Sequence, residues 1–220
     1  MKLSSTDMPK LQSPFVRKVI NGDFIVTPEI DREYRWVFKE SIATDKIDGT
    51  NVSIIIKDGE IKSVYNRLNK IDFWSGNRYI INGVRGSVIK GYFRPESLDD
   101  GQYYGECIGD KIQGNPYQLL EENIWIPFSR IKEKYQLKYW QEMLNQFDGK
   151  SDKEIYSIVS KFFMDLYSLF AAGRGLKGRI TKNTIFPNSG VAEGLVFYST
   201  DGRMAKLRRD MFDWYKGKRH

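Results

Sequence analysis

The chain has 220 residues, of which 40% are hydrophobic and 14% aromatic, and this is enough apolar surface for a substantial core. Its formal net charge of +7 suggests an anionic partner, most simply nucleic acid, although a basic protein without such a partner would carry the same charge. No segment approaches the roughly 18 apolar residues of a membrane span and no apolar signal segment follows the N-terminus, so we expect no membrane partner. The single cysteine favours an intracellular, cytoplasmic protein.

The cysteine and histidine content limits the catalytic mechanisms that the sequence can support. Cys107 is the only cysteine, so the sequence predicts no internal disulfide, and we expect Cys107 to be a core or pocket-wall residue, with a nucleophile as the alternative. The only histidine is His220, the last residue, and a frayed terminus is a poor position for a catalytic base. We therefore do not expect most Ser-His-Asp, Cys-His and His-ligated zinc mechanisms, which leaves lysine, arginine, carboxylates and hard metal ions.

The predicted elements alternate between strands and helices. Residues 1–15 form an irregular entry segment. The predicted strands are 36–42, 52–57, 60–65, 103–108, 123–128, 193–199 and 203–208. A helix is predicted over 74–92, although two glycines interrupt its pattern, and 138–170 is mostly helical, with capping-box spacing from Ser151 to Glu154.

The segment from Lys46 to Asn51, KIDGTN, carries the strongest chemical signal. The sequence places Lys46 in a short turn between two predicted strands, followed by a carboxylate and by Gly49, which permits a tight turn or the close approach of a ligand. A solvated lysine, with a pKa of roughly 10.4, is protonated, but a partly desolvated lysine beside other cations can lose its proton and act as a nucleophile. A polar β-hairpin with a solvated lysine is the alternative.

Three further segments accompany this one, each with charged residues on a predicted strand. These charged residues are Glu106, Glu193 and the pair Lys206 and Arg208. The last two have period-two spacing, which directs both cations to the same face of a strand. In this order the four segments resemble the signature of the covalent nucleotidyltransferases, which are ATP-dependent DNA ligases, RNA ligases and mRNA capping enzymes. The resemblance extends from about Trp36 to Phe212.

Within this family the chain is most similar to RNA ligases. Asn51 stands where nick-sealing DNA ligases usually carry arginine, and residues 103–113, YYGECIGDKIQ, resemble bacterial and phage RNA ligase-like proteins. The sequence ends 12 residues after Arg208, whereas DNA ligases and capping enzymes normally continue into an OB-fold, so we expect this module to be absent. The resemblance implies an α+β fold: a single nucleotidyltransferase domain over residues 1–220, with antiparallel sheets and flanking helices around an ATP cleft.

The resemblance also implies a three-step reaction. Lys46 would attack the α-phosphate of ATP to form lysyl-AMP, AMP would pass to a 5′-phosphate of nucleic acid, and a 3′-hydroxyl would then displace AMP. Lys206 and Arg208 would lower the pKa of the lysine and neutralise charge on the α-phosphate. Glu193 would hold Mg²⁺ or Mn²⁺, directly or through water, and Asp48 would either assist the metal or orient Lys46.

The remaining candidates would bind the nucleotide. By resemblance, Asp45 would lie at the adenine edge, Glu106 would accept hydrogen bonds from the ribose hydroxyls, and Arg67 would contact phosphate. Asn51 belongs to the same nucleotide-binding set, and Phe128 would stack on adenine, although a serine replaces the acid that often follows this aromatic residue. From the residues alone, the alternatives are a surface acid at a strand end for Glu106, a surface arginine for Arg67 and a core residue for Phe128.

ATP-dependent RNA ligation is the leading expectation. The alternatives are a minimal DNA ligase, a capping guanylyltransferase and a nucleic-acid-binding module without catalytic activity. RNA is the favoured partner, DNA is possible, and no obligate protein partner is evident. The glycine-basic stretch 173–179 and the basic residues 216–219 are expected to contact a phosphate backbone, with weak, salt-dependent binding.

Overall fold

The computed structural model describes residues 5–72, 74, 76–173, 191–217 and 219. The chain divides into two compact units. The five-stranded unit comprises Met1–Pro9 and Asp48–Lys134, and the lysine unit comprises Lys10–Ile47 and Tyr135–His220. The predicted α+β class is confirmed, because helices and antiparallel sheets occur together. The assignment of residues 1–220 to one nucleotidyltransferase domain without an OB-fold stays a prediction.

The described residues form ten strands and six α-helices. The strands are β1 Phe15–Ile20, β2 Asp23–Ile30, β3 Ile42–Lys46, β4 Thr50–Lys57, β5 Glu60–Asn66, β6 Asn69–Ile71, β7 Gly101–Gly109, β8 Asn123–Pro127, β9 Gly194–Tyr198 and β10 Met204–Arg208. The helices are α1 Val37–Glu40, α2 Arg78–Ile89, α3 Phe128–Lys134, α4 Lys138–Leu144, α5 Asp152–Met164 and α6 Leu169–Gly173.

The five-stranded unit is built on an antiparallel sheet with the strand order β6-β5-β4-β7-β8. Strand β4 is central, and its run of buried residues from Val52 to Ile56 is typical of a strand covered on both faces. Helix α2 packs against β7 and β8. Cys107 is buried in this core, as the sequence predicts, and burial raises the pKa of its thiol.

The lysine unit contains a three-stranded antiparallel sheet of order β10-β9-β3 and a separate β1–β2 hairpin. The predicted capping box is present at the start of α5, where Ser151 and Glu154 each accept a hydrogen bond from the other's backbone amide. Ile155, Val159 and Phe163 then bury one face of α5 in the core of this unit.

The predicted strand 36–42 is wrong. Val37 begins the short helix α1, and the strand β3 begins only at Ile42. Trp36, Val37 and Phe38 are consecutive and all at most 5% exposed. A strand would direct neighbouring side chains to opposite faces, whereas a helical turn allows all three to reach the core. A short apolar run cannot distinguish the two from sequence.

The other predicted strands and helices are present in the structure, but their first and last residues differ from the prediction. Phe128 begins α3 instead of ending a strand, and the helix predicted over 74–92 contracts to α2. The region 138–170 is divided among α4, α5 and the start of α6. The β1–β2 hairpin was not predicted, although its Asn21-Gly22 turn, with positive φ angles of 52° and 85°, is a strong hairpin signal.

The two basic segments expected to contact nucleic acid are only partly described. Of the stretch 173–179, all but Gly173 lies outside the described residues. Near the C-terminus, Arg219 makes an ion pair with Asp23 at 2.9 Å and donates a hydrogen bond to the Phe212 carbonyl at 2.8 Å. Arg219 is therefore engaged within its own unit.

Within the described part of the chain, no helix combines the length and apolarity required to cross a membrane.

Candidate functional site

The register of the three-stranded sheet aligns the charged residues of the lysine unit. Lys46 on β3 is paired with Gly194 on β9, and Gly194 is paired on its other side with Arg208 on β10. Lys206 lies two residues before Arg208 on the same strand, so its side chain points to the same face. The predicted lysine and the two predicted cations therefore share one face of one sheet.

Gly194 is the residue that this arrangement requires to be small. A Cβ atom at Gly194 would overlap the Leu207 carbonyl oxygen and lie 2.7 Å from the Arg208 Cα. The backbone of β10 can therefore approach β9 closely beside Lys46 only because residue 194 has no side chain.

Glu193 connects the cations of this face. Its Oε2 lies 2.5 Å from Lys46 Nζ, and its Oε1 lies 3.8 Å from Arg208 Nη1. The Lys46 and Glu193 side chains are each 20% exposed. The hairpin alternative for Lys46 is wrong, because β3 pairs with β9 and not with β4, and because the lysine is ion-paired and mostly buried.

Lys206 completes the cluster and has a perturbed pKa. Burial, followed by repulsion from Lys46 and Arg208, lowers the pKa of Lys206 to about 8. The cations are therefore close enough to repel one another, and an anionic ligand would relieve this repulsion. Perturbed pKa values of this kind are typical of functional sites.

Asp45 lies on the opposite face of β3 from Lys46, because neighbouring residues of a strand alternate. Its Oδ2 accepts hydrogen bonds from the Ser168 hydroxyl at 2.6 Å and from the Phe170 amide at 3.0 Å, at the start of α6. Burial raises the pKa of Asp45 to about 6, while these hydrogen bonds lower it. The carboxyl group thus connects β3 to α6, and its role at the adenine edge stays a prediction.

In the five-stranded unit, Asn51 and Glu106 are direct partners across β4 and β7. Glu106 is 8% exposed, so the reading of this residue as a surface acid is wrong. The Asn51 amide lies 3.4 Å from the sulfur of Met8, and Thr6 bonds to Gln102 and Tyr104 farther along β7. The segment formed by residues 6–8 therefore lies across the polar face of the sheet that carries Asn51.

Asp48 and Gly49 have structural roles within the same unit. The Asp48 backbone amide donates a hydrogen bond to the Tyr117 hydroxyl at 2.7 Å. A Cβ atom at Gly49 would overlap the Cys107 carbonyl oxygen and lie 2.7 Å from Ile108 Cγ2. The close approach that requires a glycine is thus made by the backbone of β7, which the sequence does not reveal.

Arg67 and Phe128 lie at the ends of strands. Arg67 follows β5 with a φ of 54°, its side chain is 69% exposed, and its Nη1 lies 3.3 Å from the Asp7 carboxylate. Phe128 follows β8 and is half-buried at the start of α3. The nucleotide contacts predicted for both residues stay predictions.

Sequence reasoning missed several groups near the cations of the lysine unit. The carbonyl oxygen of Gln12 accepts a hydrogen bond from the Lys206 amide at 2.8 Å, so the entry segment runs beside β10. Asp210 lies 3.0 Å from Arg208, and Arg17 on β1 is close enough to Arg208 for repulsion between the two to lower its pKa, after burial. The turn signal at Asn21 could have revealed the strand that carries Arg17.

The described residues contain no group of three or more histidine, cysteine, aspartate or glutamate side chains that could together hold a metal ion. Glu193 is the predicted metal ligand, and it lies beside Lys46 and Arg208. Mg²⁺ commonly binds through one or two carboxylates together with substrate phosphates and water. The residues present therefore fit a divalent ion that arrives with a nucleotide.

Searches for relatives give a match in solved structures. No protein-family model and no curated protein matches the chain. The chain is similar to Naegleria gruberi RNA ligase with PPi, with 20% identity and a TM-score of 0.46 over 78% of this chain and 50% of that chain. A mutant of that ligase with ATP and Mn has 19% identity and a TM-score of 0.48 over 94% and 59% of the two chains. Another mutant, with AMP and Mn, has 18% identity, the same TM-score of 0.48 and the same coverage of 94% and 59%.

The chain spans between 50% and 59% of the length of these ligase chains. With identities of 20% or less and TM-scores below 0.5, the likeness assigns neither a reaction nor a residue role.

Proposed function

We propose that the chain is an ATP-dependent RNA ligase that joins 5′-phosphate and 3′-hydroxyl ends through a lysyl-AMP intermediate. One observation carries the proposal: Lys46 is ion-paired with Glu193 on a sheet face that also presents Lys206 and Arg208. A positioned amine, a carboxylate and two further cations suit the attack of nitrogen on an anionic phosphate. The chain order of the four sequence segments supports the same reaction.

The first step requires a neutral amine. The Glu193 Oε2 atom, 2.5 Å from Lys46 Nζ, is the group positioned to accept the proton. Nζ then forms a bond to the α-phosphorus of ATP, the bond from this phosphorus to the bridging oxygen breaks, and pyrophosphate leaves. Lys206 and Arg208 offset the charge that develops on the α-phosphate oxygens.

Mg²⁺ or Mn²⁺ would offset the charge of the triphosphate when bound. In the lysine unit, Glu193 would hold the ion through Oε1, since Oε2 contacts Lys46. Asp48, which belongs to the five-stranded unit, stays a candidate ligand by the resemblance alone. Phosphate oxygens and water would complete the shell of the ion.

The remaining candidates would select the nucleotide. Asp45 would lie at the adenine edge, a role that rests on the resemblance alone. Glu106 and Asn51, neighbours on two strands, would bind the ribose, Arg67 would contact phosphate and Phe128 would stack on adenine.

The lysyl-AMP would then pass AMP to a 5′-phosphate, and a 3′-hydroxyl would displace it. The net charge of +7 supports electrostatic docking of the polynucleotide, which should weaken as salt rises, by about 0.7 to 0.9 log units per log unit of salt for each phosphate contact. Because backbone contacts carry little sequence information, we expect poor discrimination by base sequence.

The proposed function is tested by ligation of nicked duplexes that differ only in the sugar of the 3′-hydroxyl strand, with ATP and Mg²⁺. We expect sealing of the RNA-ended nick and slower sealing of the DNA-ended nick. Equal or faster sealing of the DNA end would favour the minimal DNA ligase. Absence of both sealing and AMP transfer would leave the nucleic-acid-binding module as the better description.

A further inference from the structure

Asp210 is a buried carboxylate beside the proposed site that the reaction described above does not use. It is 9% exposed and lies in the turn that follows β10. Its Oδ2 is 3.0 Å from Arg208 Nη2, which is a direct ion pair, whereas Glu193 Oε1 is 3.8 Å from Arg208 Nη1. Arg208 therefore faces two carboxylates and is closer to Asp210.

The backbone around Asp210 is anchored on both sides. The Arg209 amide donates a hydrogen bond to the Glu193 carbonyl at 2.9 Å, and Met211 and Phe212 are at most 2% exposed. Arg219 donates hydrogen bonds to the carbonyl oxygens of Asp210 and Phe212. The Asp210 carboxylate is therefore held in place relative to the strand that carries Arg208.

The position of Arg208 matters because both carboxylate oxygens of Glu193 have other proposed partners. Its Oε2 contacts Lys46, and its Oε1 is the atom proposed to hold the metal that accompanies ATP. A guanidinium is a strong bidentate partner for a carboxylate. Without a second carboxylate, Arg208 would be drawn onto Glu193 Oε1, and metal binding there would have to displace it.

We infer that Asp210 is a positioning residue that holds the Arg208 guanidinium away from Glu193 and so leaves that carboxylate to Lys46 and the metal. The inference rests on the proposed function. Asp210 acts through Arg208 and contacts neither the nucleotide nor the reacting atoms. Arg17 is a further cation near this pair. Burial and repulsion from Arg208 lower the pKa of Arg17, whereas attraction to Asp210 raises it.

The test compares Asp210→Asn with Asp210→Glu, and Asp201→Asn is the matched control. Asp201 makes an ion pair with Arg203 at 2.8 Å and the same two-residue spacing, but 55% of its side chain is exposed. The rate of AMP transfer is measured against Mg²⁺ concentration. We expect Asp210→Asn to raise the half-saturating Mg²⁺ concentration about tenfold. Asp210→Glu should restore most of this loss, and Asp201→Asn should match wild type.

A double variant separates positioning from folding. If Asp210 acts through Arg208, Asp210→Asn should change the rate less than about twofold in an Arg208→Gln background, where the guanidinium is absent. Equal losses in both backgrounds would overturn the inference. Thermal unfolding of all variants shows whether Asp210→Asn damages the fold. If it does, the rate of the double variant relative to Arg208→Gln alone decides whether Asp210 acts through Arg208.

A crystal structure of the Asp210→Asn variant supplies a readout other than activity. We expect Arg208 Nη1 to move from 3.8 Å to within hydrogen-bond distance of Glu193 Oε1, about 2.9 Å. An unchanged Arg208 would contradict the inference. If wild type transfers AMP and Asp210→Asn has the wild-type Mg²⁺ dependence, only the role of Asp210 fails. If wild type transfers no AMP, the proposed function fails as well.

Discussion

The two units of the chain differ in how their predicted site residues are arranged. In the lysine unit, the Glu193 carboxylate lies within ion-pair distance of both Lys46 and Arg208. Burial and repulsion from these two cations lower the pKa of Lys206. In the five-stranded unit, Asn51 and Glu106 are paired across β4 and β7. Arg67 and Phe128 lie at the ends of two other strands.

The comparison shows that clustered, partly buried charges support a functional role more strongly than an exposed ion pair does. The three cations Lys46, Lys206 and Arg208 repel one another on one sheet face, and this repulsion adds to burial in lowering the pKa of Lys206. An exposed arginine paired with a surface aspartate interacts weakly, because solvent screens both charges. We therefore expect substitutions in the lysine unit to have larger effects on AMP transfer than substitutions in the five-stranded unit.

Among the residues around the proposed nucleophile Lys46, the largest effect is expected for Glu193→Ala. Loss of the carboxylate removes the partner of Lys46 and the proposed metal ligand, and we expect AMP transfer to fall about 10²–10³-fold. The measurement is the single-turnover rate at saturating Mg²⁺. Glu40→Ala, which removes an exposed carboxylate of the same unit, should leave the rate unchanged. A near-normal rate for Glu193→Ala would make Glu193 a bystander.

Asp45→Asn should change the pH dependence of stability. Because burial raises the pKa of Asp45 from 3.8 to about 6, the unfolded chain releases this proton before the folded chain does. Stability should therefore fall as pH rises from about 4 to 6, by roughly 2–3 kcal/mol for this residue, and stay lower above pH 6. Urea denaturation at several pH values should show a flatter profile for Asp45→Asn.

The exposed Asp148 provides the control for this measurement, since Asp148→Asn changes the charge by the same amount at the surface of the same unit. If Asp45→Asn and wild type lose stability in parallel between pH 4 and 6, the buried carboxyl group is not the source of the dependence.

Lys206→Ala should lower AMP transfer about tenfold, because one of the cations that offset phosphate charge is lost. The pKa of Lys206 is lowered to about 8, so its charge, and its contribution to kcat/KM for ATP, should be lost above that pH. Lys206→Arg should keep its charge and retain activity to higher pH. Lys39→Ala, at an exposed lysine of α1, is the control. An identical alkaline limb in Lys206→Arg would assign this limb to another group.

The smallest effect is expected for Arg67→Ala, which should raise the KM for ATP no more than about threefold, because the side chain is 69% exposed and solvent screens its contacts. Asp7→Asn sharpens the comparison by removing the carboxylate 3.3 Å from Arg67, and it should lower KM slightly if this arginine meets phosphate. A loss above about 100-fold for Arg67→Ala would reverse the ranking of the two units.

Much of this arrangement follows from sequence patterns. The period-two spacing of Lys206 and Arg208 predicts their shared face, and the sequence also predicts that Glu193 stands at the head of an apolar strand, which β9 confirms. Other features depend on contacts between residues far apart in the chain. The pairing of β3 with β9, the capping of α6 by Asp45 and the ion pair of Arg208 with Asp210 all arise this way. The helix at Val37 was missed because three consecutive apolar residues have no strand or helix period.

The most direct test of the account is the location of AMP after incubation with ATP and Mg²⁺. The protein is digested under neutral conditions and the modified peptide is sequenced by mass spectrometry, with Lys46→Ala and the exposed control Lys39→Ala in parallel. We expect one AMP on Lys46 in wild type and in Lys39→Ala, and none on Lys46→Ala. AMP on another residue, or unchanged labelling of Lys46→Ala, would contradict the claim that Lys46 is the nucleophile.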